Sequence, residues 1–178
     1  MVKEMTQQTH FFMGHDAILS VIDGMATKLS YYLENRGRED IAMIGIHTGG
    51  IWVAQRLHQL LHIDPPLGII DISFYRDDFS QIGLNPEVRP SQINFDVDGR
   101  HIILVDDVLH TGRTIRAALN EIFDYGRPSS VTLATLVDRS GRELPVEPGI
   151  IGVEVTIDPR EEIKLTGPER LELVIGSN

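Results

Sequence analysis

Asp106 and Asp107 stand together at the end of an apolar run, in the stretch IILVDDVLHTGRTIRAAL from Ile102 to Leu119. Thr111, Gly112 and Thr114 follow in the next few residues, and a helical pattern begins near Ile115. Unpaired backbone N–H groups at a helix start attract an anion, glycine lets the backbone approach it, and threonine hydroxyls add donors. The loop therefore suits a phosphate. Adjacent carboxylates are good acceptors for a pair of sugar hydroxyls, so the whole stretch fits a phosphorylated sugar. Two aspartates after a strand are, on their own, more often a solvated strand end or a helix cap. The continuation through Thr114 tips the balance toward a ligand.

The elements that must hold this stretch are legible in the apolar pattern. Ile18, Val21, Ile22, Met25, Leu29, Tyr32 and Leu33 recur at helical spacing and predict an amphipathic helix over residues 16–35. IAMIGI, from Ile41 to Ile46, is the continuous apolar run of a strand covered on both faces. HTGG and a helical pattern from Ile51 to Leu61 follow it. A glycine pair after a strand is usually a plain turn. HTGG gains interest only because it follows the first strand of the same sheet.

HIDPPLGIIDIS turns through Pro65 and Pro66 into a further strand, and HIILVDD supplies the strand that carries the aspartates. A helix runs from about Ile115 to Tyr125, with Gly126 and Pro128 as its stop signals, before the buried strand SVTLATLVD. Strands alternating with helices predict an α/β fold, a mainly parallel twisted sheet flanked by helices. The polar segment from Phe74 to Arg100 is too long for an ordinary connection and reads as a lid or arm. After Asp138 the short apolar pieces IIGVEV and LELVIG predict a small antiparallel addition.

Composition narrows the function classes. With 178 residues, 42% of them hydrophobic, the chain suits one domain, residues 1–178, around a single core. It has no cysteine, so disulfides, thiolate nucleophiles and cysteine-held metals are excluded. No apolar run approaches the ~20 residues that cross a bilayer, and no segment has signal-peptide order, so a cytoplasmic protein without membrane contact is expected. A net charge of −10 argues against broad attraction to nucleic acid. No G-x-x-x-x-G-K-[ST] run is present, which disfavours a P-loop kinase.

The stretch from Asp106 to Thr114 resembles the signature of type I phosphoribosyltransferases. DISFYRDD, YGRPSS and LVDRSGRELP occur in the order seen in the family's branch of pyrimidine operon regulators, which are uracil phosphoribosyltransferases. The likeness runs from residue 41 to about 146. It implies the type I fold with a flexible arm and a small C-terminal hood. It also implies transfer of the phosphoribosyl group of phosphoribosyl pyrophosphate (PRPP) to uracil, giving UMP and pyrophosphate, with Mg2+ bound with PRPP. A homo-oligomer, a dimer or higher, is expected on the same grounds.

By that resemblance Asp106 and Asp107 hold the ribose hydroxyls, and Val108, Leu109, His110, Thr111, Gly112, Arg113 and Thr114 cradle the 5'-phosphate. Thr48, Gly49 and Gly50 receive the pyrophosphate, while Tyr75 and Arg76 belong to the arm over the reacting PRPP. Val137, Asp138, Arg139, Ile150 and Ile151 fall at the base. The catalytic set is Asp106, Asp107 and His110, with His110 placed to take the base proton near neutral pH. Gly49 stands where relatives usually carry arginine, so one charge against the leaving group is missing. Two other functions follow from the same likeness: an RNA-binding attenuator that senses nucleotides, and a PRPP-binding relic with weak catalysis. The first helix carries Lys28 and Arg36 and little else that is basic, which makes RNA the less favoured partner.

Overall fold

The structure is a computed structural model that describes residues 9–34, 36–72 and 90–177. Its centre is a five-stranded sheet of β2 (Ile41–Ile46), β3 (Gly68–Ile70), β4 (His101–Leu109), β5 (Ser130–Arg139) and β6 (Ile150–Val155), in the order β3-β2-β4-β5-β6. Every pairing in it is parallel. All six residues of β2 are buried, as a strand covered on both faces requires.

The strand period of two sorts the core into halves. Ile41, Met43, Ile103 and Val105 face α1 (His15–Leu33) and α2 (Gly49–Leu61), where Ile18, Ile22, Met25, Leu29, Val53 and Leu57 pack against them. Ala42, Ile44, Ile46, Ile102 and Leu104 face α3 (Arg113–Tyr125) and its Ile115, Ala118 and Ile122. The predicted helices and parallel strands are thus present. α2 begins two residues earlier than its apolar pattern, because Gly49 and Gly50 form its first turn.

The C-terminal region divides in a way the sequence did not reveal. IIGVEV, read as part of an antiparallel addition, is β6 and extends the main sheet in parallel beside β5. LELVIG does lie in an antiparallel unit: β8 (Glu172–Ser177) pairs on one side with β7 (Glu161–Thr166) and on the other with β1 (His10–Met13). This three-stranded hood shares the α1–α2 core through Ile163, Leu165, Leu171, Leu173 and Ile175. The segment expected to form the arm, with Tyr75 and Arg76, lies outside the described residues. Just after it, Gln92 bridges Ile69 antiparallel and covers the edge at β3.

Candidate active site

Three loops meet at the carboxyl ends of β2, β4 and β5, the side on which open parallel sheets bind ligands. Asp106 is 4% exposed in the C-terminal half of β4, and its Oδ1 accepts the N–H of Asp107 at 3.0 Å. The first carboxylate therefore braces the strand backbone that presents the second. Asp107 in turn faces α2, where a Cβ added to Gly49 would lie 2.3 Å from its Oδ2 and 2.9 Å from its Cβ. Gly49 is what lets the loop after β2 close onto this carboxylate, so a larger residue there displaces Asp107 as well as adding a side chain. Gly50 is packed against backbone, with its added Cβ 2.7 Å from the Val105 carbonyl oxygen.

The loop from Val108 to Thr114 leads into α3 through Gly112, which has φ +93° and caps the helix without a side chain. The Arg113 N–H donates to the Thr111 hydroxyl at 3.2 Å, and a left-handed glycine before it leaves the next N–H groups of the helix start for an anion. The segment after β5 braces this loop from below. Arg142 donates to the His110 carbonyl and, at 2.6 Å, to the Asp138 carboxylate. The Thr111 carbonyl accepts the N–H groups of Glu143 and Leu144, both at 3.0 Å. Arg113 meets Glu143 through Nε and Nη2, each at 2.8 Å. The imidazole of His110 lies against Gly141, whose added Cβ would come 2.7 Å from Nε2 and whose φ of +110° also demands glycine.

These walls enclose a cleft of about 980 Å³. Thr48, Gly49, Asp106, Asp107 and every residue from Val108 to Thr114 line it, and Gly50 does not. Arg139 lines it too, from the end of β5. The other residues expected at the base are placed differently. Val137 is fully buried and its carbonyl accepts the Thr135 hydroxyl at 2.8 Å. Ile150 is 7% exposed, and Asp138 and Ile151 line a neighbouring pocket of about 390 Å³.

The cleft also holds residues that sequence reasoning passed over: Trp52 in the first turns of α2, Glu143, and Pro159, Glu162, Ile163, Lys164 and Leu165 from the hood. The alternation in EEIKLT was the available signal for a strand there, but nothing local says that it folds back over the cleft.

Charge in the cleft is mixed and mostly paired. Lys164 binds Glu162 at 3.0 Å, as Arg113 binds Glu143. Arg139 is 5% exposed, and burial pushes its guanidinium below the usual range while Glu162 and Glu161 pull it back. Beside it, hydrogen bonds from Arg160 hold the Asp158 carboxyl at about 2. Among the described residues, no group of three or more His, Asp and Glu is arranged to hold a metal.

A carboxylate pair on β4 and the start of α3 follow one another, with the glycine loop of β2 against the carboxylates. The chain belongs to the phosphoribosyl transferase domain family, which it matches over residues 14–164. Its curated relatives include the bifunctional protein PyrR of Nitrosococcus oceani, 57% identical over 153 residues, spanning 85% of this chain and 86% of that protein. The bifunctional protein PyrR of Pseudomonas syringae pv. tomato is 56% identical over 153 residues, spanning 86% of this chain and 90% of that protein. Among solved structures, a hypoxanthine-guanine phosphoribosyltransferase from Bacillus anthracis shares the fold with a TM-score of 0.67 at 17% identity, covering 88% of each chain. The hypoxanthine phosphoribosyl transferase of Trypanosoma cruzi does so at 0.68 and 18% identity, covering 88% of this chain and 83% of that one.

Proposed function

We propose that the protein transfers the phosphoribosyl group of PRPP to uracil, forming UMP and pyrophosphate. The observation that carries this reading is the single cleft in which Asp106, Asp107 and the open start of α3 face the glycine loop of β2. Uracil as the acceptor follows from the likeness to the pyrimidine operon regulators.

The reaction is a displacement at the anomeric carbon: the bond to pyrophosphate breaks and the bond to the base nitrogen forms. The sheet order gives it a direction. β4, with the carboxylates for the ribose, lies between β2, with the pyrophosphate loop, and β5. A leaving group on the β2 side requires the base to arrive from the β5 side. Asp107, held against Gly49 and by the hydrogen bond to Asp106, orients the ribose while positive charge develops on it. The N–H groups of α3 that follow Arg113 and the Thr111 and Thr114 hydroxyls anchor the 5'-phosphate. His110 is the group on this loop able to take the proton that leaves the base. Mg2+ would be carried by PRPP itself and would neutralise charge on the leaving group.

A panel of PRPP with uracil, hypoxanthine, guanine and orotate tests the reading. UMP and pyrophosphate should form with uracil alone, and turnover of a purine in its place would refute it.

The word bifunctional in the relatives' names favours a second role, for which an RNA-binding attenuator is the natural form. Against a large basic surface on α1 and just after it, Lys28 is engaged with the Ile151 carbonyl at 2.9 Å, and Arg36, beyond the helix end, with the Tyr32 carbonyl at 2.6 Å and over its ring. Binding of a pyrimidine-operon leader RNA no tighter than the nonspecific range of roughly 10⁻⁴ to 10⁻⁶ M is therefore expected, and a nanomolar, sequence-selective complex would restore the attenuator.

A further inference from the structure

We propose that Asp71 and His47 are positioning residues for the leaving pyrophosphate: Asp71 keeps a proton on His47 Nδ1, the imidazole donates it to the Thr48 hydroxyl oxygen, and Thr48 is left to donate its own hydrogen to the departing group. This rests on the phosphoribosyl-transfer reading of the cleft, and three observations carry it.

First, the sheet register brings the pair together. β2 and β3 run parallel with Ile46 beside Ile70, and the His47 N–H donates to the Ile70 carbonyl at 2.8 Å, so the residues that follow the two strands come side by side. The Asp71 N–H donates in turn to the Ser91 hydroxyl at 3.2 Å. The Asp71 side chain is 1% exposed, and its Oδ2 lies 4.0 Å from His47 Nδ1. A carboxylate so sheltered from water repels a bare nitrogen lone pair and favours an N–H in its place.

Second, the same nitrogen lies 2.9 Å from Thr48 Oγ1. Thr48 is the N-cap of α2, where a threonine oxygen ordinarily accepts an N–H of the first turn, yet its side chain makes no capping bond. The hydroxyl is turned to the imidazole instead. With the proton on Nδ1 the threonine oxygen accepts, and its own hydrogen is directed away from the ring, to the cleft that Thr48 lines. A bare Nδ1 would capture that hydrogen and present only oxygen lone pairs to an anion. The bond that the hydroxyl accepts also strengthens the one it gives.

Third, the loop brings no strongly basic side chain of its own. From His47 to Gln55 there is no lysine or arginine, and Arg56, the first on α2, faces Asp23 at 2.9 Å. Negative charge builds on pyrophosphate as its bond to the anomeric carbon breaks, so a hydroxyl already set to donate acts mainly in the transition state.

The test is steady-state kinetics with PRPP and the base that the wild type accepts, on His47→Leu, His47→Asn, Thr48→Val and the double variant of His47→Leu with Thr48→Val. Nitrogen NMR of labelled histidine in the wild type and in Asp71→Asn accompanies it. His47→Leu should lower kcat about tenfold and leave the KM for PRPP within about twofold, as loss of a transition-state contact does. His47→Asn should recover most of that loss, because its amide nitrogen stands where Nδ1 does. The double variant should be no slower than Thr48→Val alone, since both changes act through one hydroxyl. His47 Nδ1 should carry a proton in the wild type and lose it in Asp71→Asn, whose amide can donate to that nitrogen.

Additive losses, a bare Nδ1 in the wild type, or an asparagine variant as slow as the leucine one would each overturn the assignment, and none of these depends on Asp71→Asn remaining folded. A raised KM for PRPP with kcat unchanged would overturn it by reducing His47 to a support of the loop. A wild type that turns over PRPP while its variants fail these tests loses this positioning alone. One that forms no nucleotide with any of the four bases refutes the phosphoribosyl reading, and the proposal with it.

Discussion

Replacing Gly49 with alanine adds one methyl group at the point where the loops of β2 and β4 touch. That methyl carbon would stand 2.3 Å from Asp107 Oδ2, 2.6 Å from its Cγ and 2.9 Å from its Cβ. Rotation of the carboxylate relieves the first two contacts but not the third, so either the β4 loop or the start of α2 must also shift. Overpacking of this kind costs about 1 to 3 kcal/mol, while alanine in a helix recovers about 0.5 to 1 kcal/mol over glycine. The net loss of stability should be at most about 2.5 kcal/mol, which leaves the protein folded at 25 °C.

The larger effect is on the ligand. Asp107 loses its charge-assisted hydrogen bonds to the ribose, about 1.5 to 3 kcal/mol, which weakens PRPP roughly 10- to 100-fold. Fluorescence of Trp52, the chain's one tryptophan and a wall of the same cleft, reads the affinity directly, with calorimetry as a check. Gly24→Ala is the control: nothing lies within 4 Å of its added Cβ on α1, so it should leave PRPP binding alone and stabilise by about 0.5 to 1 kcal/mol. If Gly49→Ala binds PRPP as the wild type does, Asp107 is not the ribose acceptor, and the coupling of the two loops described here is wrong.

Asp106→Asn with Asp107→Asn should abolish PRPP binding with little change in melting temperature, because asparagine at 106 keeps the oxygen that caps residue 107; calorimetry showing unchanged affinity would remove the central assignment. Arg142→Ala should raise the KM for PRPP about tenfold with a smaller effect on kcat, by freeing the His110 carbonyl and Asp138 from their brace, and lysine should rescue only partly; steady-state kinetics decide it. Because Asp158 titrates at about 2 in the folded state, it binds fewer protons there than when unfolded, and its contribution to stability is complete above about pH 4 and is lost as pH falls through about 2. Arg160→Ala should return the carboxyl to the ordinary range and flatten the stability curve over that window, as NMR titration and acid melts can show.

What the sequence disclosed and what it hid follow from the range of the interactions involved. The loop between β4 and α3 was legible because its parts are contiguous: carboxylates, strand end, left-handed glycine and helix start all fall between Asp106 and Thr114. β2 and β4 were legible because burial on both faces leaves an unbroken apolar run. The start of α2 was hidden by Gly49 and Gly50, which are poor helix formers retained for close approach to Asp107 and Val105. IIGVEV carries the same residues whether its neighbour runs parallel or antiparallel, so its place beside β5 was not written in it. β1, only four residues and largely exposed, had no signal at all. Arg139 sits within a family-like segment, but its burial and unmet Nε arise from the hood folding back over β5, a contact between distant parts of the chain.

The hood joins β1 to β8, and this fixes an order of events during synthesis. A ribosome adds about 5 to 20 residues per second, so His10 emerges roughly ten to thirty seconds before its partner Ile175 exists. By then the parallel sheet through Val155, with the phosphate loop and the carboxylates, has already been made. The nascent chain therefore has its binding floor before its roof, and for that interval the apolar face awaiting Leu171, Leu173 and Ile175 lies open, together with the unpaired strand HFFM. Crowded translation should expose that pairing edge more than heat does, so losses of yield in the cell should track changes in β1 and β8 that scarcely alter the melting temperature of the finished protein.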